Sequence, residues 1–415
     1  PPRSTLFPYT TLFRSRNLQY FPEPTLLVKN GPNFLKNIIV ITGWKKTLIH
    51  ILLFSALVAL FGWFLSTEIL PIAGDFQNNL WGPSYQLIHG MSPYDISSIL
   101  DGLNPVWLPM IIGIFFPLGF LPLQVASNLW FVITALSLFL LVILLARMSH
   151  RSSVLIFLTT ILLALFPASV AHIKLGQVSL IVCLLLVIVT LKLNLWKPVV
   201  LGLILAVSLT KPQLVVLFLP VFCVVLYREK GLKTVLKTTV LSFAWALVFC
   251  VPLFLLYPNW IPDFLNNLTT NPHWAYPTLY AWLLSSLESQ SLAIALSGLY
   301  LLAGISFVVY LSLKLNGFDA LMWSLSLTTL FSPVIWSWDF VLMYPLIIHL
   351  AFDRRSKTSS WIAIGGFFIC MVMFIFMKNA GFVNDNYAIW VPVLLNSVMA
   401  ISYMVRKKSI LSATV

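Results

Sequence analysis

A succession of apolar runs, each close to the ~20 residues a helix needs to cross a bilayer core, limits this chain more than any other feature. The runs lie near 48–70, 125–146, 153–171, 176–191, 198–210, 213–227, 234–256, 291–313, 319–332, 337–352, 360–377 and 387–405. They predict an all-α polytopic transmembrane protein of about twelve membrane helices. Of 415 residues only 9% are charged, while 60% are hydrophobic. A soluble surface needs about a quarter charged residues. That balance excludes a cytosolic enzyme, a disordered chain and a nucleic-acid-binding protein, so the net charge of +13 is read as membrane topology. Cys183, Cys223, Cys250 and Cys370 are widely spaced inside apolar runs, where a thiol behaves as a small hydrophobe. They predict neither disulfides nor a metal site.

Residues 1–15 read as a translated sequencing-adapter segment and are set aside from the fold. The sequence then divides into a cytoplasmic segment over 16–47, a membrane domain over 48–405 and a cytoplasmic tail over 406–415. Cytoplasmic connections carry the Lys and Arg excess. With the N-terminus inside, twenty basic residues beyond the adapter fall on the inner side, and only Lys174, Lys211 and Lys378 on the outer side. Counting the apolar stretch 106–122 as a span would invert this distribution. Pro109, Gly113, Pro117, Gly119 and Pro122 interrupt that stretch, so it is read as interfacial or re-entrant. A long first outer loop over 68–124 with interfacial helices and a second over 257–290 follow, and both lack Lys and Arg. No clear repeat relates the two halves. The polar residues gather at outer helix ends, which places the chemistry at the outer membrane boundary.

Asp75 follows the first apolar helix with no neighbouring cation. A carboxylate at the edge of low-dielectric surroundings has its pKa raised and becomes a better base, although an aspartate there also suits a helix cap. Four further outer turns hold polar groups: His172, Lys174 and Gln177; Lys211 and Gln213; His273, Trp274 and Tyr276; and Trp338 with Asp339. Retaining Lys174 and Lys211 on a side otherwise stripped of cations points to a local anion such as phosphate, with headgroup snorkelling as the alternative.

Asp75-Phe76, then Gly90 and Ser92-Pro93-Tyr94, resemble the first-loop signature of glycosyltransferase family 87, within the GT-C membrane superfamily. The resemblance continues through Leu118, Pro122, Trp130, Gly176-Gln177, Gly202, Lys211-Pro212-Gln213, Ser332-Pro333 and Ser337-Trp338-Asp339, over about 70–345. Where relatives are expected to carry a histidine after the last Trp-Asp pair, this chain has Phe340.

The resemblance implies a GT-C-like fold and a transferase that uses a polyprenyl-phosphate sugar, is similar to mannosyl- and arabinofuranosyl-transferases, and takes a glycolipid or glycan acceptor. It implies Asp75 as catalytic base. The expected inverting reaction needs no cofactor, leaves room for a divalent cation, and assigns Lys211, Lys174 and His172 to the donor phosphate. Phe76, Trp81, Tyr85, Tyr94, Gln177, Gln213, His273, Trp338 and Asp339 are expected to line the substrate cavity. The expected partners are donor, acceptor and the bilayer of the inner membrane; nothing in the sequence requires a second chain. Two other readings stay open: a secondary transporter or lipid-linked-sugar flippase with Lys211 and Asp339 as coupling charges, and an envelope polysaccharide polymerase or ligase.

Overall fold

The computed structural model describes residues 74–100, 104–147, 153–270, 276–287, 289–382 and 384–412, with scattered positions between 52 and 62. Residues 1–47, most of the first predicted span, and His273 with Trp274 lie outside the described residues. The chain divides into Pro1–Leu52 and Leu53–Val415, and every element named below belongs to the second unit.

The described part is helical: α1 (Gly74–Phe76), α2 (Gly82–Ile88), α3 (Met110–Phe115), α4 (Leu123–Arg147), α5 (Ser153–Ala164), α6 (Pro167–Leu175), α7 (Ser179–Leu191), α8 (Pro198–Ser208), α9 (Phe218–Lys230), α10 (Leu232–Leu256), α11 (Trp260–Thr270), α12 (Leu279–Ser286), α13 (Gln290–Lys314), α14 (Gly317–Phe331), α15 (Tyr344–Ala351), α16 (Lys357–Asn379) and α17 (Trp390–Ser412). Helix starts follow the local chemistry. Asn316 accepts from the Asp319 N–H at 2.8 Å, Ser356 from Ser359 at 3.3 Å, and Thr278 from Ala281 at 3.3 Å. Pro167 and Pro198 each occupy a first turn, where the missing N–H costs nothing.

Among the described residues five helices are long and apolar enough to cross a membrane: α4, α10, α13, α16, and α17 with the turn before it. A sixth span arises if α5 and α6, bent by 72° at a short break, are counted together. The bend has a local cause: Phe166 is extended and Pro167 restarts the helix. About twelve spans were expected. Of the predicted runs, 48–70 lies mostly outside the described residues, and others such as 176–191, 198–210 and 337–352 form apolar helices shorter than a bilayer core is thick. Between Val106 and Pro122 the chain forms only α3 and a 3-10 turn over Phe116–Phe120. Gly113 lets α3 lie directly on α10, because a Cβ at Gly113 would stand 1.5 Å from the Phe249 carbonyl oxygen.

Burial sorts the helices. Nearly every residue of α14 from Asp319 to Thr329 is buried, so α14 runs through the interior. By contrast α10 exposes Val240, Phe243, Leu247 and Leu255, and α16 exposes Trp361, Phe368 and Phe376. Such apolar faces suit lipid rather than water. Buried hydroxyls of α14 turn back on their own helix: Ser324 donates to the Leu321 carbonyl and Thr328 to that of Ser324, both at 2.8 Å.

A charge cluster closes one end of α14. Asp319 lies 3.1 Å from His349 and 3.6 Å from Arg406, and accepts from the Tyr403 hydroxyl at 3.0 Å. Arg406 donates through Nε to Asp353 at 2.6 Å, and Arg355 meets Asp353 with two of its nitrogens. The network ties α14, α15, α17 and the α15–α16 turn together. The candidate site lies beyond the other end of α14.

Candidate functional site

Four separate parts of the chain bring one polar residue each to that end. Asp75 comes from α1, Gln177 from the α6–α7 turn, Lys211 from the end of α8, and Asp339 from a 3-10 helix over Ser337–Met343. The side chains form a continuous chain of bonds. Gln177 donates through Nε2 to Asp75, and its Oε1 accepts from Lys211 Nζ at 3.0 Å. Lys211 also meets both oxygens of Asp339, at 2.8 and 3.1 Å. Asp339 is further held by the Ser179 hydroxyl at 2.5 Å and the Trp336 N–H at 3.3 Å.

Local backbone chemistry sets this geometry. Gly176 adopts φ 70°, the left-handed conformation that ends α6 and turns the chain toward Gln177. The Gln177 N–H then bonds the His172 carbonyl at 3.0 Å, and the Trp130 indole donates to the Gly176 carbonyl at 2.7 Å. On the Asp75 side, Phe76 is fully buried and stacks on the same Trp130 at 5.5 Å. One tryptophan therefore braces both arms of the site.

Electrostatics follow from burial. Lys211 is 3% exposed and Asp339 0% exposed, so neither charge is compensated by water and each depends on the other. The Trp107 ring lies 5.4 Å from Lys211 Nζ and contributes a cation–π contact. Burial pushes the Asp75 carboxyl up to about 6; the Lys211 cation works against that rise and the Asp339 charge adds to it. A carboxyl group so placed changes protonation state close to neutral pH, as a general base must.

The other residues singled out in the sequence fall in different places. Lys211, expected at a donor phosphate, is bonded to Asp339 and Gln177. His172, assigned to the same phosphate, is fully buried, and its Nε2 accepts from the Leu180 N–H at 3.3 Å; this caps α7 and keeps the ring inside the protein. Lys174 and Trp338 line a cavity of about 300 Å³ together with Pro167, Ser337, Lys378 and Asp385. Trp81 stacks on Tyr85 at 4.9 Å and donates to the Leu121 carbonyl at 2.9 Å. Tyr94 is buried against Phe264, and Gln213 is half-buried in the turn after Lys211. Among the described residues no three His, Cys, Asp or Glu side chains come together as a metal site would need.

The model of glycosyltransferase family 87 matches residues 109–334, just over half of the chain. The chain belongs to this family. No curated protein matched it. The matched region of this family 87 chain holds Gln177, Ser179 and Lys211, while Asp75 and Asp339 flank it on either side. Those two join the matched core through their bonds to Gln177 and Lys211. Membership makes the protein a glycosyltransferase, and its long apolar helices make it a membrane protein. Sequence reasoning missed Ser179, Trp107 and Asp385. Ser179 and Trp107 stand beside singled-out residues only in space, whereas Asp385 stood in a polar stretch, Asn384-Asp385-Asn386, that carried no motif.

Proposed function

We propose that this glycosyltransferase moves a sugar from a polyprenyl-phosphate carrier to an envelope glycolipid or glycan, with inversion and with Asp75 as general base. The acceptor O–H gives its proton to the Asp75 carboxylate as its oxygen attacks the anomeric carbon. The bond from that carbon to the phosphate oxygen breaks, and polyprenyl phosphate leaves with the electron pair. The leaving group is already an anion, so no acid need protonate it. General-base help of this kind contributes roughly 100- to 10,000-fold.

The observation that carries this reading is the bonded series Asp75, Gln177, Lys211, Asp339. In it Lys211 is a positioning residue. It holds the Gln177 oxygen, which turns the amide N–H toward Asp75 and aims the carboxylate.

The charge pattern supports an orientation with both termini in the cytoplasm and Asp75 facing the outer side of the inner membrane. The Arg355 and Arg406 cluster lies at the opposite end of α14 from Lys211 and Asp339, which agrees with that orientation.

The test compares wild type with Asp75→Asn in membranes supplied with labelled polyprenyl-phosphate sugar. Transfer by Asp75→Asn is expected to fall by roughly 100-fold or more. Full transfer by the variant would remove the proposed base.

A further inference from the structure

Helix α10 has 25 residues and a length of about 37 Å, more than the ~30 Å hydrocarbon core it has to cross. Helix α11 therefore starts at the membrane boundary. Its first residue, Trp260, is buried and packs edge-on against Phe254 at 5.2 Å, which holds α11 to the end of α10. The α11 sequence, WIPDFLNNLTT, has two faces at the helical period. Ile261, Leu265 and Leu268 share one of them and are 43%, 54% and 48% exposed. Trp260, Asp263, Phe264 and Asn267 turn the other way, into the protein.

The inward face holds the segment that follows α2. Asp263 accepts from the Ser92 hydroxyl at 2.5 Å and from the Tyr257 hydroxyl at 3.0 Å. Asn267 donates through Nδ2 to the Tyr94 carbonyl at 2.6 Å and the Pro105 carbonyl at 3.2 Å, and Phe264 lies 5.3 Å from the Tyr94 ring. That segment is tied back in turn to the helical stretch that opens with Asp75. Gln86 donates to the Asp95 carbonyl at 2.9 Å, and Asn79 accepts from the Val106 N–H at 3.4 Å.

The outward face has a size, a charge and a neighbour that together name its occupant. Eleven residues make a helix about 16 Å long and 10 Å wide, so the face offers about 160 Å², against about 800 Å² per partner in a stable protein pairing. No Lys or Arg occurs between 257 and 290, and the one acid of α11 is turned inward, so the face attracts no charged surface. It follows directly on Val251, Phe254 and Leu255, exposed apolar residues of the spanning helix α10. We propose that α11 lies in the headgroup–acyl boundary of the bilayer, with Ile261, Leu265 and Leu268 among the acyl chains, and that Asp263 and Asn267 thereby fix the depth of the Ser92–Pro105 segment. The partner is a lipid surface recognised by apolar burial alone, whatever the headgroup charge. The stretch carrying Asp75 is then levelled by the bilayer itself.

The experiment uses the full chain in nanodiscs with a spin label on Leu265→Cys, the signal of the unsubstituted chain being subtracted. Relaxation by oxygen, which concentrates in the acyl region, and by a water-soluble nickel chelate gives the depth of the label. It is expected about 5–10 Å below the headgroup surface, equally in zwitterionic and anionic lipid. A label as open to the nickel chelate as one in water would overturn the placement, and a label shielded from both reagents would give the face to another protein chain. A depth that changes with headgroup charge would overturn recognition by apolar burial alone. Hydrogen exchange tests the link: in Ile261→Ser/Leu265→Ser/Leu268→Ser the amides of Ser92–Pro105 are expected to exchange faster by about tenfold or more, while those of α14 stay protected and show the fold intact. Asn267→Ala, which leaves the lipid face untouched, is expected to loosen the same segment with the label depth unchanged. Unchanged exchange over Ser92–Pro105 in Asn267→Ala, or in the triple variant, would overturn the link.

Discussion

Replacing either member of the Lys211–Asp339 pair tests the electrostatic argument most directly. At 2.8 Å, with an effective dielectric near 20, the attraction is about 6 kcal/mol. Desolvation of two nearly inaccessible charges consumes most of that, so the pair as a whole adds little net stability. Breaking it is another matter. In Lys211→Met the carboxylate of Asp339 keeps Ser179 and the Trp336 N–H, and in Asp339→Asn the ammonium of Lys211 loses its counter-charge and keeps Gln177, the Trp107 ring and the neutral amide oxygen of the new side chain. Each single variant should lose about 3–5 kcal/mol. The double variant leaves no uncompensated charge and should lose less than either single. Denaturant unfolding of all four proteins in mixed micelles gives the coupling energy directly. Two results would refute the reasoning: a double variant whose loss equals the sum of the singles, or singles that cost under about 1 kcal/mol, as an exposed pair would.

Two further outcomes follow from the same geometry. Asp75 must be ionised to accept a proton, so kcat/KM should fall with unit slope as pH drops below about 6 and stay level above it. Lys211 lowers the Asp75 pKa, so Lys211→Met should move that limb to higher pH; a profile flat through pH 5 would refute the assignment. Gly176→Ala places a Cβ on a residue at φ 70°, with an expected cost of about 1–2 kcal/mol and reduced transfer through misplacement of Gln177. Unfolding and rate measurements on that variant check both.

Much of this was legible before any coordinates, because membrane helices advertise themselves by length and by the near absence of charge. Asp75, Gln177, Lys211 and Asp339 each stood out as polar residues at the ends of apolar runs, and the structure brings those four together. Their connectivity was not legible. Lys211 and Asp339 are 128 positions apart, and nothing local to either says that each is the other's counter-ion. The surroundings of His172 were not legible for a related reason: a histidine one turn before a glycine can face either way, and its Nε2 accepts from the Leu180 N–H inside the protein. Hydropathy reads composition over a window, so it does not register where Pro167 restarts a helix and bends it by 72°. Trp130 entered as one element of a motif, yet its role as the brace between Gly176 and Phe76 is a matter of three-dimensional proximity.

The spacing of the ion pair also bears on how the chain enters the membrane. Ribosomes add roughly 5–20 residues each second, so the 128 positions between Lys211 and Asp339 take about 6–26 s to synthesise. Throughout that interval the ammonium is without Asp339, and while a charge at a helix end can stay hydrated at the headgroup level, at mid-bilayer it would cost about 2.5–3.5 kcal/mol during insertion. The segment carrying Lys211 must therefore wait at the headgroup level or inside the insertion machinery. Sealing of the bundle is timed by the arrival of a residue from its last third.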